Sequence, residues 1–258
     1  MKSVAFTAAL AFGVLALLPS RASVAEQATT SSHVTEAPID PAAMNALTRM
    51  GAYLRTLENF EITSQTTAED VLDDGQKLQF DGTLLYRVRR PDAFYIETRT
   101  DRRQRQIYYD GRTITVFAPG RGYYAQVPAP STIRELLQTL DDRYGISLPL
   151  SDLFYWGTPD FDVSDITSAA AIGYAKVDGQ DSDQYAFREG DIDWQIWIKR
   201  GDQPLPVKIA ITTRHEESSP EFTARLTWNV QPTFSATTFT FTPPQGVNRI
   251  QIAANAAH

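Results

Sequence analysis

Apolar and polar residues alternate with a period of two through much of this chain, most clearly in its C-terminal third. Ile192, Trp194, Ile196 and Ile198 fall on one side of a segment whose other side carries charged and amide side chains. Residues 222–230 alternate in the same way. Such alternation is typical of antiparallel strands with one face packed and the other in water. The sequence therefore predicts a large antiparallel sheet whose packed face is rich in Trp and Phe.

Turn residues separate the alternating segments. Residues 73–76, with the sequence Asp-Asp-Gly-Gln, indicate a hairpin, and Asp110-Gly111 and Glu189-Gly190 mark further turns. Turns at intervals of about ten residues are typical of a meander sheet or barrel. We expect about 10–11 strands in this chain.

Two segments change to a helical period. Asp40-Pro41 fits an N-cap followed by proline in the first turn, and Thr132 with Glu135 fits a capping box. The apolar stripe of the first helix is Met44, Leu47, Met50, Leu54 and Leu57, and that of the second is Ile133, Leu136, Leu137, Leu140 and Tyr144. The aromatic cluster at residues 153–156 fits one more helical turn. The predicted fold class is α+β, mainly antiparallel β, with two or three helices.

The N-terminus has the pattern of an export signal. Lys2 precedes an apolar run at residues 4–18, which is shorter than the roughly 20 residues that a membrane-spanning helix needs. Small residues at 23–25 predict cleavage after Ala25, with cleavage after Ala22 or an uncleaved anchor as alternatives. We expect an exported protein with no stable membrane anchor.

Composition restricts the partners of the chain. It contains 24 Lys and Arg residues, 31 Asp and Glu residues and no Cys. Removal of residues 1–25 takes away Lys2 and Arg21, so 22 basic residues remain against 31 acidic ones and the net charge moves from −7 to −9. Such an acidic surface disfavours binding to nucleic acid and to anionic lipid headgroups. The lack of Cys excludes disulfides and thiolate zinc ligands.

The domain organisation is simple. Residues 26–39 are small and polar, which is typical of a flexible leader. No Pro- or Gly-rich linker divides residues 40–258, a length that suits one β domain with a large core. We expect a single domain and a monomer.

Residue types that carry catalysis are scarce. The three histidines are His33 in the leader, His215 in a predicted loop and His258 at the end of the sequence. There is no Gly-x-Ser-x-Gly elbow, phosphate loop or dinucleotide fingerprint. Carboxylate pairs such as Asp191/Asp193 fall at predicted turns or strand ends, where solvated capping is the ordinary role. We therefore expect no enzyme activity, no cofactor and no metal site.

Several motifs resemble those of the periplasmic lipoprotein carriers. Residues 82–94 resemble their "G-x-L-x-x-x-R-P-x-x-F" hairpin, residues 110–113 their "dGk" turn, and residues 197–209 their "W-I-x-x-x-x-x-L-P-x-x-I" hairpin. The ending Phe-Thr-Phe-Thr-Pro-Pro-Gln-Gly-Val at residues 239–247 resembles their terminal strand. Over residues 40–250 the chain is similar to a family of predicted periplasmic proteins, DUF2092, placed in that superfamily.

The resemblance implies an open, curved antiparallel half-barrel with the helices covering its concave face and a cavity for acyl chains between them. It also implies that the Arg of the Arg-Pro pair, here Arg90, acts as a latch on the helical lid. Arg87 and Arg89 lie close by, so the role falls on one of three arginines, and a solvated rim that blocks aggregation is the alternative.

We expect the packed-face side chains to line the cavity, with ordinary core packing as the alternative. They are Phe80, Leu84, Tyr86, Phe94, Ile96, Trp194, Ile196, Phe222, Leu226 and Trp228. The predicted function is a periplasmic carrier that holds a lipid, lipoprotein acyl chains or another hydrophobic ligand. A sensor of the same fold that binds a protein partner at the envelope is the alternative. The segment at residues 239–247 is expected to form the last strand of the cavity wall.

Overall fold

The structure is a computed structural model that describes residues 39–251 except positions 145, 147, 159 and 217. The predicted signal peptide and residues 26–38 of the predicted leader lie outside the described residues. Within the described part, no helix is long and apolar enough to cross a membrane.

Twelve strands form a single sheet in the described residues. They are β1 (Asn59–Val71), β2 (Lys77–Arg89), β3 (Ala93–Thr100), β4 (Gln104–Tyr109), β5 (Thr113–Ala118), β6 (Tyr123–Pro128), β7 (Ile166–Val177), β8 (Gln180–Glu189), β9 (Ile192–Lys199), β10 (Pro206–Thr213), β11 (Glu221–Asn229) and β12 (Asn248–Ile250). Their order is β12-β6-β5-β4-β3-β2-β1-β11-β10-β9-β8-β7, so β12 and β7 are the two edges of an open sheet. Every neighbouring pair is antiparallel except β12 with β6.

The predicted fold class is confirmed: the structure is a mainly antiparallel, open and curved sheet with two α-helices. The strand count is twelve rather than 10–11. The short strand β12 has only three residues, all exposed, and so gives no period in the sequence.

Helix α1 (Pro41–Thr56) covers one half of the concave face, which we define as the face that packs against the helices. The Asp40 carboxylate accepts a hydrogen bond from the Ala42 amide at 2.8 Å, as expected for an N-cap. The same carboxylate accepts one from the Ala171 amide of β7 at 3.1 Å, which fixes the start of the helix to the sheet edge. The buried face of the helix consists of Ala43, Ala46, Leu47, Met50, Gly51 and Leu54.

Helix α2 (Ile133–Tyr144) covers the other half. The Glu135 amide donates to the Thr132 hydroxyl oxygen at 3.2 Å, and the Thr132 hydroxyl donates to the Glu135 carboxylate at 3.0 Å, so the predicted cap is present. The Ile133 amide donates to the Pro91 carbonyl oxygen at 2.8 Å and ties the helix to the β2–β3 turn. Its buried residues are Ile133, Leu136, Leu137 and Leu140.

The C-terminal segment at residues 231–247 does not lie where the sequence predicted it. It is not a strand of the cavity wall, because it runs across the opposite, convex face of the sheet. The chain pairs with the sheet again only after this segment, where β12 lies beside β6. Phe241 packs against Tyr108, Phe117 and Tyr124 with ring centroids 5.0–5.3 Å apart. Three prolines in this segment lack the amide hydrogen that a ladder needs, which explains why a segment that resembles the carriers' terminal strand forms no strand here.

Candidate ligand-binding site

The concave face carries most of the residues predicted to line a cavity. Seven of the ten are buried in the main core: Leu84, Tyr86, Phe94, Ile96, Trp194, Ile196 and Leu226. Phe222 and Trp228 are partly buried against that core. Phe80 lies apart from it, half-buried beneath the guanidinium of Arg102, whose Cζ is 4.9 Å from the ring centroid.

A segment between α2 and β7 fills the concavity over these residues. We call residues 148–158 the plug. Its apolar side chains enter the main core and are almost fully buried: Leu148, Leu150, Leu153 and Trp156. Phe154 lies 6.4 Å from Phe60 and 6.1 Å from Tyr86 between ring centroids, and Trp156 stacks on Trp194 at 6.4 Å. The sequence indicated an aromatic cluster with one more helical turn at residues 153–156, and the structure has a 3-10 helix at Ser151–Phe154.

Two side-chain hydrogen bonds and one close backbone contact fasten the plug. The Tyr86 hydroxyl donates to the Pro149 carbonyl oxygen, and the Arg55 guanidinium donates to the Gly157 carbonyl oxygen. Gly157 has a φ of +76° and lies against Gly51 of α1. A Cβ added at Gly51 would be 2.7 Å from the Gly157 nitrogen and 2.8 Å from its Cα, closer than side chains tolerate against backbone. The two glycines therefore set how deeply the plug sits.

With the plug in place, little space is left between α2 and the sheet. An apolar cavity there measures about 20 Å³, which is room for about one water molecule. It is lined by Ile107, Ile114, Val116, Val127, Leu140, Tyr144, Ile146 and Leu148, none of which was predicted as a site residue. A pocket of about 400 Å³ opens at the β2–β3 and β4–β5 turns instead, and charged side chains such as Arg89, Asp92 and Arg112 line it. That lining does not suit an acyl chain.

Arg90 is the arginine that turns toward the plug. Its Cζ lies 5.7 Å from the Phe60 ring centroid and 5.8 Å from that of Phe154. Burial lowers the pKa of the guanidinium, and its Nε has no hydrogen-bond partner. Arg87 instead pairs with Glu61 at 2.7 Å, and Arg89 pairs with Asp92 at 3.2 Å. Of the three arginines, Arg90 is the one that lies over a ring of the plug, that of Phe154.

Two carboxyl groups, one in the plug and one at the end of β8, are buried. Asp152 belongs to the plug and is 6 % exposed, and Glu189 ends β8 and is 8 % exposed. Burial raises the pKa of both to about 7, and the charge of Glu189 raises the pKa of Asp152 further. Sequence patterns did not indicate this pair, because the burial of an acidic residue cannot be read from its neighbours in the chain. No group of three or more potential metal-ligating side chains occurs in the described residues.

The sequence profile of the family described as "Predicted periplasmic protein (DUF2092)" matches residues 43–253. The chain belongs to this family. A comparison with curated proteins finds no match.

Among solved structures, the DUF2092 protein is similar to LprF from Mycobacterium bovis, with a TM-score of 0.44, 12 % identity, and coverage of 81 % of this chain and 99 % of that one. It is similar to the lipoprotein LppX from Mycobacterium tuberculosis, with a TM-score of 0.42, 13 % identity, and coverage of 76 % and 98 %. A LolA superfamily protein from Nitrosomonas europaea gives a TM-score of 0.34 and 10 % identity, with coverage of 77 % and 97 %. These likenesses concern the arrangement of the chain alone.

The buried carboxyl pair predicts a specific dependence of stability on pH. In the folded protein the pKa values of Asp152 and Glu189 are raised to about 7. In the unfolded chain such carboxyl groups lose their protons near pH 4. Between these two pH values the folded protein therefore holds protons that the unfolded chain has released. These two groups therefore lower the free energy of unfolding as the pH rises from about 4 to about 7. The double variant Asp152→Asn/Glu189→Gln should gain stability over the wild type across that interval, measured by denaturant unfolding at each pH.

Asp73→Asn, at an exposed hairpin turn, is the matched control and should track the wild type. A stability difference between double variant and wild type that is the same at pH 4 and pH 8 would show that the pair is not protonated in the folded protein.

Proposed function

We propose that this protein is an exported periplasmic carrier that binds the apolar chain of a lipid or similar amphiphile in the space that the plug now fills. The observation that supports the proposal is the plug itself: an irregular segment inserts four large apolar side chains between the helices and an aromatic concave face. A segment held in this way can be exchanged for a ligand of similar shape and chemistry. The N-terminal export pattern and the family description support the periplasmic location.

The energies of plug and ligand are comparable. Burial of four Leu or Trp side chains contributes roughly 6–12 kcal/mol, at about 1.5–3 kcal/mol each. An acyl chain of about 15 carbons contributes about 12 kcal/mol, at about 0.8 kcal/mol per methylene. Because the two terms nearly offset each other, the ligand can displace the plug and the plug can displace the ligand. A carrier needs this balance in order to release its cargo.

We assign the latch to Arg90 on the same grounds. Its guanidinium lies between Phe60 of the sheet and Phe154 of the plug, so it stabilises the plug only in the inserted position. Burial removes part of the water around the guanidinium in this position. When the plug is displaced, the guanidinium loses its contact with Phe154 and gains no comparable one. Arg90 therefore favours the return of the plug and the release of the ligand.

Gly51→Ala tests the exchange. The added methyl group meets the Gly157 backbone and should weaken the inserted plug, whereas alanine itself is the better helix residue by about 1 kcal/mol. If the inserted state loses about 1.4 kcal/mol, the population with a displaced plug rises about tenfold. We expect uptake of a fluorescent fatty-acid probe to be about tenfold faster, measured by stopped-flow fluorescence.

Asn45→Ala is the matched control, because it improves the same helix at an exposed position away from the plug. Its uptake rate should equal that of the wild type. Equal rates in Gly51→Ala and wild type, with both proteins folded, would mean that the plug does not control access.

Arg90→Met tests the latch. Methionine keeps an apolar stem but removes a cation–π contact worth about 1 kcal/mol, so probe release should slow by roughly fivefold. The melting temperature should change little, because loss of this contact is offset by relief of a desolvated charge. Arg89→Met, which loses an exposed ion pair, should release the probe at the wild-type rate. An unchanged release rate in Arg90→Met would remove Arg90 from the mechanism.

A further inference from the structure

The pocket of about 400 Å³ at the β2–β3 and β4–β5 turns lies outside the core that the plug completes. Its walls come from these two turns, from the residues just before α2 and from the C-terminal segment that crosses the convex face. The charged side chains of the walls are Arg89, Asp92, Asp110 and Arg112. Small-molecule sites in proteins usually measure about 300–1,000 Å³, so this pocket has room for a small polar ligand.

Arg89 and Asp92 form an ion pair in one wall of the pocket. The Arg89 Nε donates to an Asp92 carboxylate oxygen at 3.2 Å, and the Arg89 Cζ lies 5.2 Å from the ring centroid of Phe239. The two charges offset each other, and the ring of the C-terminal segment helps to hold the guanidinium in place. The charges that remain to act on a ligand are those of Asp110 and Arg112.

Asp110 and Arg112 lie two residues apart in the β4–β5 turn, but their side chains do not pair with each other. The Asp110 carboxylate accepts hydrogen bonds from the Arg112 and Thr113 amides at 3.0 and 2.8 Å, and both donors are neutral. Among the described residues, no basic nitrogen lies within 4.0 Å of the Asp110 carboxylate. In the same part of the chain, no carboxylate oxygen lies within 4.0 Å of the Arg112 guanidinium. Two opposite charges therefore line one pocket without an ion pair at either.

The residue between these two charges fixes the shape of the turn. Gly111 has a φ of +80°, a conformation that glycine adopts at little cost. A Cβ added there would lie 3.1 Å from the Asp92 carbonyl oxygen, so the β4–β5 turn packs closely against the β2–β3 turn. Together with the two amides that bind the Asp110 carboxylate, this packing holds the turn in one conformation. The turn thus presents its negative and positive groups at separate, fixed places.

The charges of the pocket select the kind of ligand. The four charged side chains add to zero, so a simple anion that Arg112 attracts is also repelled by Asp110, and a simple cation meets the opposite pair of forces. A molecule that carries both charges satisfies both groups at once. A guanidinium binds a carboxylate or phosphate through its planar fork of N–H donors, and a carboxylate accepts hydrogen bonds from an ammonium group.

We propose that this pocket binds a small zwitterion, with its ammonium group on Asp110 and its carboxylate or phosphate on Arg112. The hydroxyl groups of Ser131 and Thr240 belong to the same lining and supply further hydrogen-bond donors and acceptors. The pocket shares no residue with the main core, so the proposal does not depend on the carrier function. Free amino acids and the headgroups of zwitterionic lipids both have this chemistry.

Three small molecules test the need for both charges: β-alanine, propionate and propylamine. Each is titrated into the purified full-length protein by isothermal titration calorimetry at about pH 7, where their carboxyl and amino groups are charged. We expect β-alanine to bind at least about tenfold more tightly than either singly charged analogue. Glycerophosphoethanolamine, titrated in the same way, separates the two sources. Tighter binding than that of β-alanine assigns the pocket to a lipid headgroup, and weaker binding assigns it to an amino acid.

Two variants test the assigned groups. Arg112→Gln should weaken the binding of β-alanine to that of propylamine. Asp110→Asn, which keeps a side-chain oxygen for the turn amides, should weaken it to that of propionate. Arg105→Gln is the matched control, because it makes the same change at an exposed position of β4 outside the pocket, and it should keep the preference for β-alanine. Binding of β-alanine no tighter than that of its two analogues, or a preference that survives in Arg112→Gln, would overturn the proposal.

Discussion

The contact between the plug and the concave face of the sheet determines how this protein is built. A one-layer sheet of twelve strands buries its aromatic face only if something covers it, and the two helices cover it incompletely. The plug completes the cover with Leu150, Leu153 and Trp156, and two hydrogen bonds and a pair of glycines keep it in place. Since this contact is mainly apolar and non-directional, another apolar body can replace it.

The polar groups at the same interface have opposite effects on the stability of the inserted plug. Arg90 contacts the ring of Phe154, and Asp152, two residues earlier in the plug, is buried within range of the Glu189 charge. The first contact stabilises the inserted plug, whereas the second opposes it once the carboxyl groups ionise. An apolar segment with a favourable and an unfavourable polar contact is suited to exchange rather than to permanent packing. A segment that served only as core would be expected to bury fewer unpaired charges.

The sequence predicted the sheet, the two helices and the Arg-Pro turn because each depends on local pattern. Period two identified the strands, and the stripe from Met44 to Leu57 with its Asp40 cap identified α1, which ends one residue earlier, at Thr56. The role of the plug was missed because the short 3-10 helix at Ser151–Phe154 gives no period that shows where it packs, although Gly51 inside a helical stripe was a usable sign of close backbone approach. The carboxyl pair was out of reach, since Asp152 and Glu189 meet only through tertiary folding. The position of the C-terminal segment was predicted wrongly, because its resemblance to a terminal strand does not reveal which face of the sheet the chain crosses.

Hydrogen exchange of the plug amides tests the exchange mechanism most directly. Leu153, Tyr155 and Trp156 donate their backbone amides to carbonyl oxygens within the plug, so their protection reports whether the plug stays folded in place. With a saturating long-chain amphiphile bound, these amides should exchange faster than in the free protein, while the central strands β1 and β11 become more protected. Equal or slower exchange of the plug amides in the bound protein would show that the ligand does not take the place of the plug.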